Sequence, residues 1–168
     1  MKKVLGLAFL SIAAMLCSCG SSSQKSANRE ANGEKGSSCF DEYSKMHDLG
    51  TAIANSYGDF SGLVLDWHFN EETISEAMAV MEEMQAASAA ALTFNPTCDK
   101  LKKSKVLLDD MAQIAKPKAE EAIKAMNEMR QDDKYYDVLN RVYKELSRDL
   151  KIVDFLETIN ESGANVIK

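Results

Sequence analysis

Apolar residues recur at three- and four-residue intervals from Cys39 onward, with almost no strand-type alternation. This spacing places the apolar side chains on one side of an α-helix. The third apolar stretch keeps one helical phase over its whole length, in Leu101, Leu108, Met111, Ala115, Ala119, Ala122, Met126 and Met129. The spacing therefore predicts an all-α fold in which each helix buries one face against the others.

Interruptions divide this region into helices. The first apolar face comprises Phe40, Tyr43, Met46 or His47, Gly50, Ile53 and Tyr57. The glycines in residues 58–62 predict the end of this helix, and residues 63–69 are apolar enough to be helical or irregular. Asn70, before two glutamates, is a good start for a second helix, which runs to about Leu92. Its apolar face comprises Ile74, Ala77, Met78, Met81, Met84, Ser88 and Ala91. Pro96 predicts the next break, with Thr97 as a cap for the third helix.

The third and fourth apolar faces complete the prediction. An interior proline costs about 3 kcal/mol, so Pro117 predicts either one kinked helix or two helices nearly in line. The last face is broad, which suits a bundle interior, and comprises Tyr135, Val138, Leu139, Val142, Leu146, Leu150, Val153, Leu156 and Ile159, with Ile152 and Phe155 beside it. We expect a bundle of about four helices in up-down order.

Residues 1–19 have the pattern of a secretion signal. Lys2 and Lys3 precede an apolar run, residues 4–16, that is shorter than the ~20 residues a spanning helix needs. The run ends in Leu16-Cys17-Ser18-Cys19, which resembles the lipobox of bacterial lipoproteins: an aliphatic residue three positions before a cysteine, and a small residue directly before it. The resemblance implies cleavage before Cys19 and attachment of lipid to its thiol. An ordinary secreted protein is the alternative.

The residues after Cys19 refine this expectation. Gly20 stands where an aspartate commonly marks inner-membrane retention, and residues 20–25 lack an acidic cluster of the kind that directs some lipoproteins to the cell surface. The resemblance thus implies the periplasmic face of a Gram-negative outer membrane. Residues 19–38 contain no aliphatic residue larger than alanine and predict a disordered linker spanning on the order of 25 Å. The chain is then a signal peptide (1–18), a lipidated linker (19–38) and a helical domain (39–168).

The remaining cysteines and the net charge add two expectations. In up-down order the first and third helices start at the same end of the bundle, which predicts a disulfide between Cys39 and Cys98. Closing so long a loop stabilises a domain by roughly 2–4 kcal/mol. The formal net charge of −6 argues against nucleic-acid binding and predicts membrane attachment through acyl chains rather than through a basic patch.

The sequence contains few candidates for reactive groups. Neither His47 nor His68 has a glutamate three residues before it, and the chain has no Cys-x-x-Cys-His or Gly-x-Ser-x-Gly motif, so we expect neither an enzyme nor a cofactor. Met78, Met81 and Met84 share a helix face and are soft ligands that suit Cu(I), although methionine at this spacing is more often core filler.

One aromatic stretch, Trp67-His68-Phe69, has two interpretations. These residues cap one end of the bundle, or they form an exposed contact for a partner. The leading hypothesis is a non-enzymatic, lipid-anchored binding or scaffold protein whose partner is another envelope protein. The alternative is a carrier of a small apolar ligand or Cu(I) in the methionine-lined interior.

Overall fold

The computed structural model describes residues 38–65, 71–128 and 134–166. Within these ranges the chain forms five α-helices and no strand: α1 (Cys39–Leu65), α2 (Glu71–Thr93), α3 (Lys102–Glu128), α4 (Lys134–Asp149) and α5 (Ile152–Val166). A single 3₁₀ turn, Asp99–Leu101, leads into α3. The predicted all-helical class is confirmed. The predicted start of the second helix at Asn70 lies outside the described residues.

A reciprocal cap fixes the start of α1. The amide of Asp41 donates to Ser38 Oγ at 3.1 Å, and the amide of Ser38 donates to Asp41 Oδ2 at 3.1 Å. Two amide donors that have no intrahelical partner are thereby satisfied. The pair is a variant of the capping box, so the helix begins at Cys39.

The break predicted at residues 58–62 does not occur, because α1 continues through it to Leu65. Glycine inside a helix costs up to about 1 kcal/mol, but Phe60 and Val64 keep the phase of Ile53 and are fully buried. Burying a large apolar side chain is worth about 1.5–3 kcal/mol, which outweighs the two glycines. Tertiary burial therefore overrides the local preference.

The faces predicted for α2 and α3 are confirmed as far as the structure describes them; Met129, predicted on the face of α3, lies outside the described residues. In α2 the buried residues are Ile74, Ala77, Met81, Met84, Ser88 and Ala91, with Met78 half-buried. In α3 and the turn before it they include Leu101, Leu108, Met111, Ala115, Ala119, Ala122 and Met126. The small residues on both faces let the two helices approach closely, and α2 packs against α1 and α3.

Pro117 lies inside one uninterrupted helix, so the two-helix interpretation of this segment is wrong. Proline has no amide hydrogen, and the carbonyl of Gln113 therefore receives no helical bond from it. Both residues are on the exposed side of α3, where water can satisfy that carbonyl. The solvent-facing position explains how α3 keeps its buried face continuous past the proline.

The last predicted helix is two helices, separated by Leu150 and Lys151. The prediction that Val153 lies on the buried face is wrong: Val153 is 67% exposed, whereas Phe155 is fully buried. The interruption changes the helical phase, so that α5 turns Phe155 inward in place of Val153. Both α4 and α5 pack against α1 and α3.

Two glycines receive aromatic rings at the contact between α1 and α5. A Cβ atom on Gly50 would lie 2.0 Å from the ring of Phe155, and one on Gly163 would lie 2.6 Å from the ring of Tyr43. Each helix therefore supplies one ring and one glycine. Only a residue without a side chain leaves room for such an approach. The two contacts fix how α5 lies along α1.

We expect Gly50→Ala to lower the free energy of unfolding by about 2 kcal/mol or more, because overpacking against Phe155 outweighs the better helix propensity of alanine. Gly58→Ala is the matched control: it lies in the same helix with nothing within 4 Å of its Cβ position, so this change should stabilise by about 0.5–1 kcal/mol. Urea denaturation measures both. Equal effects of the two substitutions would contradict the close contact between Gly50 and the ring of Phe155.

Candidate functional site

The predicted disulfide joins the first residue of α1 to the residue before the 3₁₀ turn. Cys39 and Cys98 are bonded, with a Cα–Cα distance of 5.3 Å and a sequence separation of 59. Cys98 is buried, whereas Cys39 is exposed. The bond therefore ties the start of α1 to the entry of α3.

A buried carboxylate lies beside the disulfide. Glu42 is only 4% exposed, and its two oxygens accept hydrogen bonds from the hydroxyl of Thr97 at 2.7 Å and from the amide of Cys98 at 2.8 Å. Thr97 was predicted to cap the third helix, but its hydroxyl binds Glu42 instead. A charged group so deeply buried is tolerated only when it is hydrogen-bonded. Glu42 thus orients the segment that carries Cys98.

Glu42 was not among the predicted site residues, although the sequence contains a signal for it. Glu42, Met46, Gly50 and Ile53 have the same helical phase, so an acid lies on the apolar face of α1. An acidic residue on a buried face requires hydrogen-bond donors from a neighbouring element. The donors come from the loop before α3, a contact that no local pattern reveals.

The start of α3 also meets the end of α5. Lys100 donates through Nζ to the carbonyl oxygen of Asn165 at 2.5 Å. One turn further on, the buried hydroxyl of Ser104 lies 2.9 Å from that of Ser162. We call the region around Cys39, Glu42, Cys98, Lys100 and Asn165 the disulfide end. It joins the start of α1, the start of α3 and the end of α5.

Aromatic rings lie side by side along the start of α1, at the disulfide end. Tyr43, which fills the space at Gly163, lies between Phe40 and His47, with ring centroids 6.2 Å and 6.0 Å away. Phe40 is 52% exposed in the first turn. Nearby, the ammonium group of Lys45 lies 4.7 Å from the ring centroid of Phe94. The outer surface of this end thus combines aromatic rings with cations.

A charged network links α3 to α4. Lys118 pairs with both Glu121 and Glu145, and Arg141 pairs with Glu121. The hydrogen bond to Glu145 raises the pKa of Lys118, against an opposing effect of burial. Burial acts to raise the pKa of Glu121, but hydrogen bonds from Lys118 and Arg141 outweigh it, so that this pKa is lowered. The network therefore favours the charged forms of Lys118 and Glu121.

A shallow groove of about 350 Å³ lies beside the interruption between α4 and α5. Its charged lining residues have opposite signs: Asp110 and Asp149 are acidic and Lys151 is basic. Asp149 accepts two hydrogen bonds from Arg148, each 2.7 Å, which lower its pKa. The carboxylate of Asp149 is therefore already occupied by a neighbouring guanidinium.

The predicted site residues fall into three groups. Cys39 and Cys98 are brought together in the disulfide. Met81 and Met84 are fully buried in the core and Met78 is half-buried against it; the Cu(I) hypothesis for these three stays a prediction. Cys19 and the aromatic stretch 67–69 lie outside the described residues. Within residues 38–65, 71–128 and 134–166 no group of three or more His, Cys, Asp or Glu side chains is arranged to hold a metal ion.

Comparison with protein-family models, with curated proteins and with solved structures gives no match for this chain. Among the described helices, none combines the length and apolar character that crossing a membrane requires.

We expect Glu42→Gln to destabilise the domain by about 1–2 kcal/mol, because one of the two donors, Thr97 or Cys98, would then face an amide NH₂ group. Glu83→Gln is the control with the same chemical change on the exposed side of α2, and it should stay within about 0.5 kcal/mol. Chemical denaturation under oxidising conditions measures both. A neutral Glu42→Gln variant would contradict the assigned hydrogen bonds.

Glu121→Gln should alter the acid dependence of stability. Because the folded-state pKa of Glu121 is lowered, its contribution is present above the pKa of the unfolded chain and is lost as pH falls through the folded value. We expect the variant to be less stable than the parent by up to about 1 kcal/mol at neutral pH. The difference should vanish below the folded pKa of Glu121. Urea denaturation across pH checks this, and a difference independent of pH would contradict it.

Proposed function

We propose that this chain is a lipid-anchored protein of the bacterial envelope whose helical domain acts without catalysis, by binding another envelope protein or as part of a larger assembly. The observation that carries the proposal is the disulfide between Cys39 and Cys98. Disulfides form and persist in oxidising compartments and are rare in the cytosol. A protein that reaches such a compartment needs an export signal, which residues 1–19 resemble.

We further propose that the helices follow up-down order, with α4 and α5 together as the fourth member. The disulfide supports this order because it joins the start of α1 to the start of α3. The bond from Lys100 to Asn165 supports it as well, because it joins the start of α3 to the end of α5. The end at which the chain enters the domain is then the disulfide end.

The proposed anchor is the thiol of Cys19, and the proposed location is the periplasmic face of the outer membrane of a Gram-negative cell. The lipobox resemblance of residues 16–19 and the absence of an aspartate after Cys19 support this location. Acyl chains would hold the domain at the membrane surface, since stable anchoring takes more than one chain. A domain held at the membrane in this way meets its partners through its own surface.

Labelling with palmitate tests the anchor. We expect label to enter the parent chain and to be lost in Cys19→Ala, while Cys17→Ala, the control two residues away, keeps it. Membrane fractionation of the same strains should find the parent and the control with the outer membrane and Cys19→Ala missing from that fraction. Equal labelling of all three chains would refute the anchor.

Crosslinking in intact envelopes, followed by purification of the chain, tests the binding role. The expected result is one recurrent envelope protein joined to the helical domain. A bound small molecule or copper in the purified domain, without such a partner, would instead favour the carrier hypothesis.

A further inference from the structure

The two cysteines of the disulfide lie in contrasting surroundings. Cys39 is exposed and lies between two exposed residues, Ser38 and Phe40. Cys98 is only 6% exposed and belongs to the hydrophobic core. A thiolate from solution reacts with a disulfide by attacking one of its two sulfurs, and access helps to decide which. Cys39 therefore carries the sulfur that such a nucleophile reaches.

Electrostatic surroundings separate the same two cysteines. Cys39 is the first residue of α1, and the positive end of a helix favours a thiolate over a thiol. Asp41 in the same turn is negative, but it is exposed, where solvent and salt screen its charge. Cys98 has a buried carboxylate beside it, because Oε2 of Glu42 accepts its amide hydrogen bond at 2.8 Å. Burial and a neighbouring negative charge both disfavour a thiolate at Cys98.

Access and leaving-group quality oppose each other when a thiol reduces this bond. Exchange is faster when the sulfur that departs is a more stable thiolate. Attack on the exposed Cys39 expels Cys98, whose thiolate is disfavoured by its buried position and by Glu42. Attack on Cys98 would expel Cys39, the better leaving group, but Cys98 is buried. The accessible sulfur is thus bonded to the poor leaving group, so that reduction of the folded domain is slow.

We propose that Cys39 is the site of thiol–disulfide exchange on this domain, that Cys98 resolves the mixed disulfide formed there, and that Glu42 is a positioning residue that slows reduction of the finished bond. The reaction partner is a thiol oxidant that itself carries a reactive disulfide, the chemical class that exchanges with protein thiols. The bond between Cys39 and Cys98 carries this assignment, and the lipid anchor has no part in it.

The bond closes in two exchange steps. The thiolate of Cys39 attacks one sulfur of the oxidant's disulfide, forms a mixed disulfide, and releases the oxidant's other sulfur as a thiolate. Cys98 then loses its proton to water and attacks the sulfur of Cys39, which forms the intramolecular bond and releases the oxidant's second thiolate. Two cysteine thiols are oxidised, the oxidant's disulfide is reduced to a dithiol, and two protons pass to it through water. The Cα atoms of Cys39 and Cys98, 5.3 Å apart, hold the second attack within reach.

The first experiment maps where a small thiol enters the bond. The full chain with Cys17→Ser and Cys19→Ser keeps only Cys39 and Cys98. It is treated briefly with reduced glutathione in its oxidised, folded form, and free thiols are then blocked with N-ethylmaleimide. We expect peptide mass spectrometry to find glutathione on Cys39 in about tenfold or greater excess over Cys98. The same chain unfolded in concentrated urea is the matched control, in which the two cysteines should be labelled nearly equally.

The second experiment measures the rate of reduction by glutathione in the same chain. We expect Glu42→Gln to be reduced about fivefold faster than the parent, because the charge that opposes a thiolate on Cys98 is removed. Gly50→Ala controls for lost stability in the same helix, and Glu83→Gln controls for the chemical change at an exposed position. Both controls should be reduced at the parental rate.

Low concentrations of urea separate attack on the folded domain from attack after unfolding. Unfolding becomes more favourable as urea is added, so a rate that depends on unfolding rises with urea, whereas direct attack at Cys39 does not. We expect no urea dependence in the parent or in Glu42→Gln.

Each result bears on one part of the assignment. Glutathione on Cys98, or equal labelling of both cysteines in the folded chain, overturns Cys39 as the site of exchange. A parental rate in Glu42→Gln, an equal acceleration in Gly50→Ala, or a rate that rises with low urea overturns the role of Glu42. Entry at Cys39 with acceleration confined to Glu42→Gln supports both. Because the chain used here has no thiol at position 19, these results are independent of the palmitate labelling.

Discussion

The seating of Phe155 against Gly50 is the contact on which the arrangement of the last helices depends. The interruption at Leu150 and Lys151 turns Phe155 toward α1, and the bare backbone at Gly50 receives the ring. Burial of a phenylalanine contributes about 1.5–3 kcal/mol, a large share of the stability of a small domain. Once α5 lies in this position, its end reaches the start of α3.

Polar groups then set the register along the other contacts. Between α3 and α5, Ser104 bonds to Ser162 and donates to the carbonyl of Thr158 at 3.3 Å. Between α1 and the entry of α3, Glu42 accepts from Thr97 and from the backbone of Cys98. Sliding either helix by one turn would leave these buried groups without partners, at about 1–3 kcal/mol each. Apolar packing holds the helices against one another, and these few polar contacts select one register between them.

Sequence alone predicts the faces of α2 and α3 because they depend on periodicity within one helix. It also predicts the bond between Cys39 and Cys98, which we inferred from an expected up-down order of the helices. The sequence-based interpretation fails where a distant element decides the outcome. The glycines at 58 and 62 predict a break, yet burial of Phe60 keeps α1 continuous.

The same limit applies to the candidate site. Val153 continues the spacing of α4, and only the approach of Gly50 explains why Phe155 is buried instead. Glu42 lies visibly on an apolar face, but its donors come from a loop 55 residues away in the chain. Periodicity identifies the residue as unusual, whereas only the fold supplies the partner that makes it stable.

The bond between Cys39 and Cys98 also determines which parts of the domain a protease can release. A single cut of the backbone anywhere in residues 40–97 leaves both fragments covalently joined through that bond, so α3, α4 and α5 stay attached to the N-terminal part of the chain. A force that pulls on residue 38 passes through Cys39 both into α1 and, across the disulfide, to Cys98. The force therefore reaches α3 without passing through α1 and α2. The bond thus keeps the domain in one piece after any single cut between residues 40 and 97.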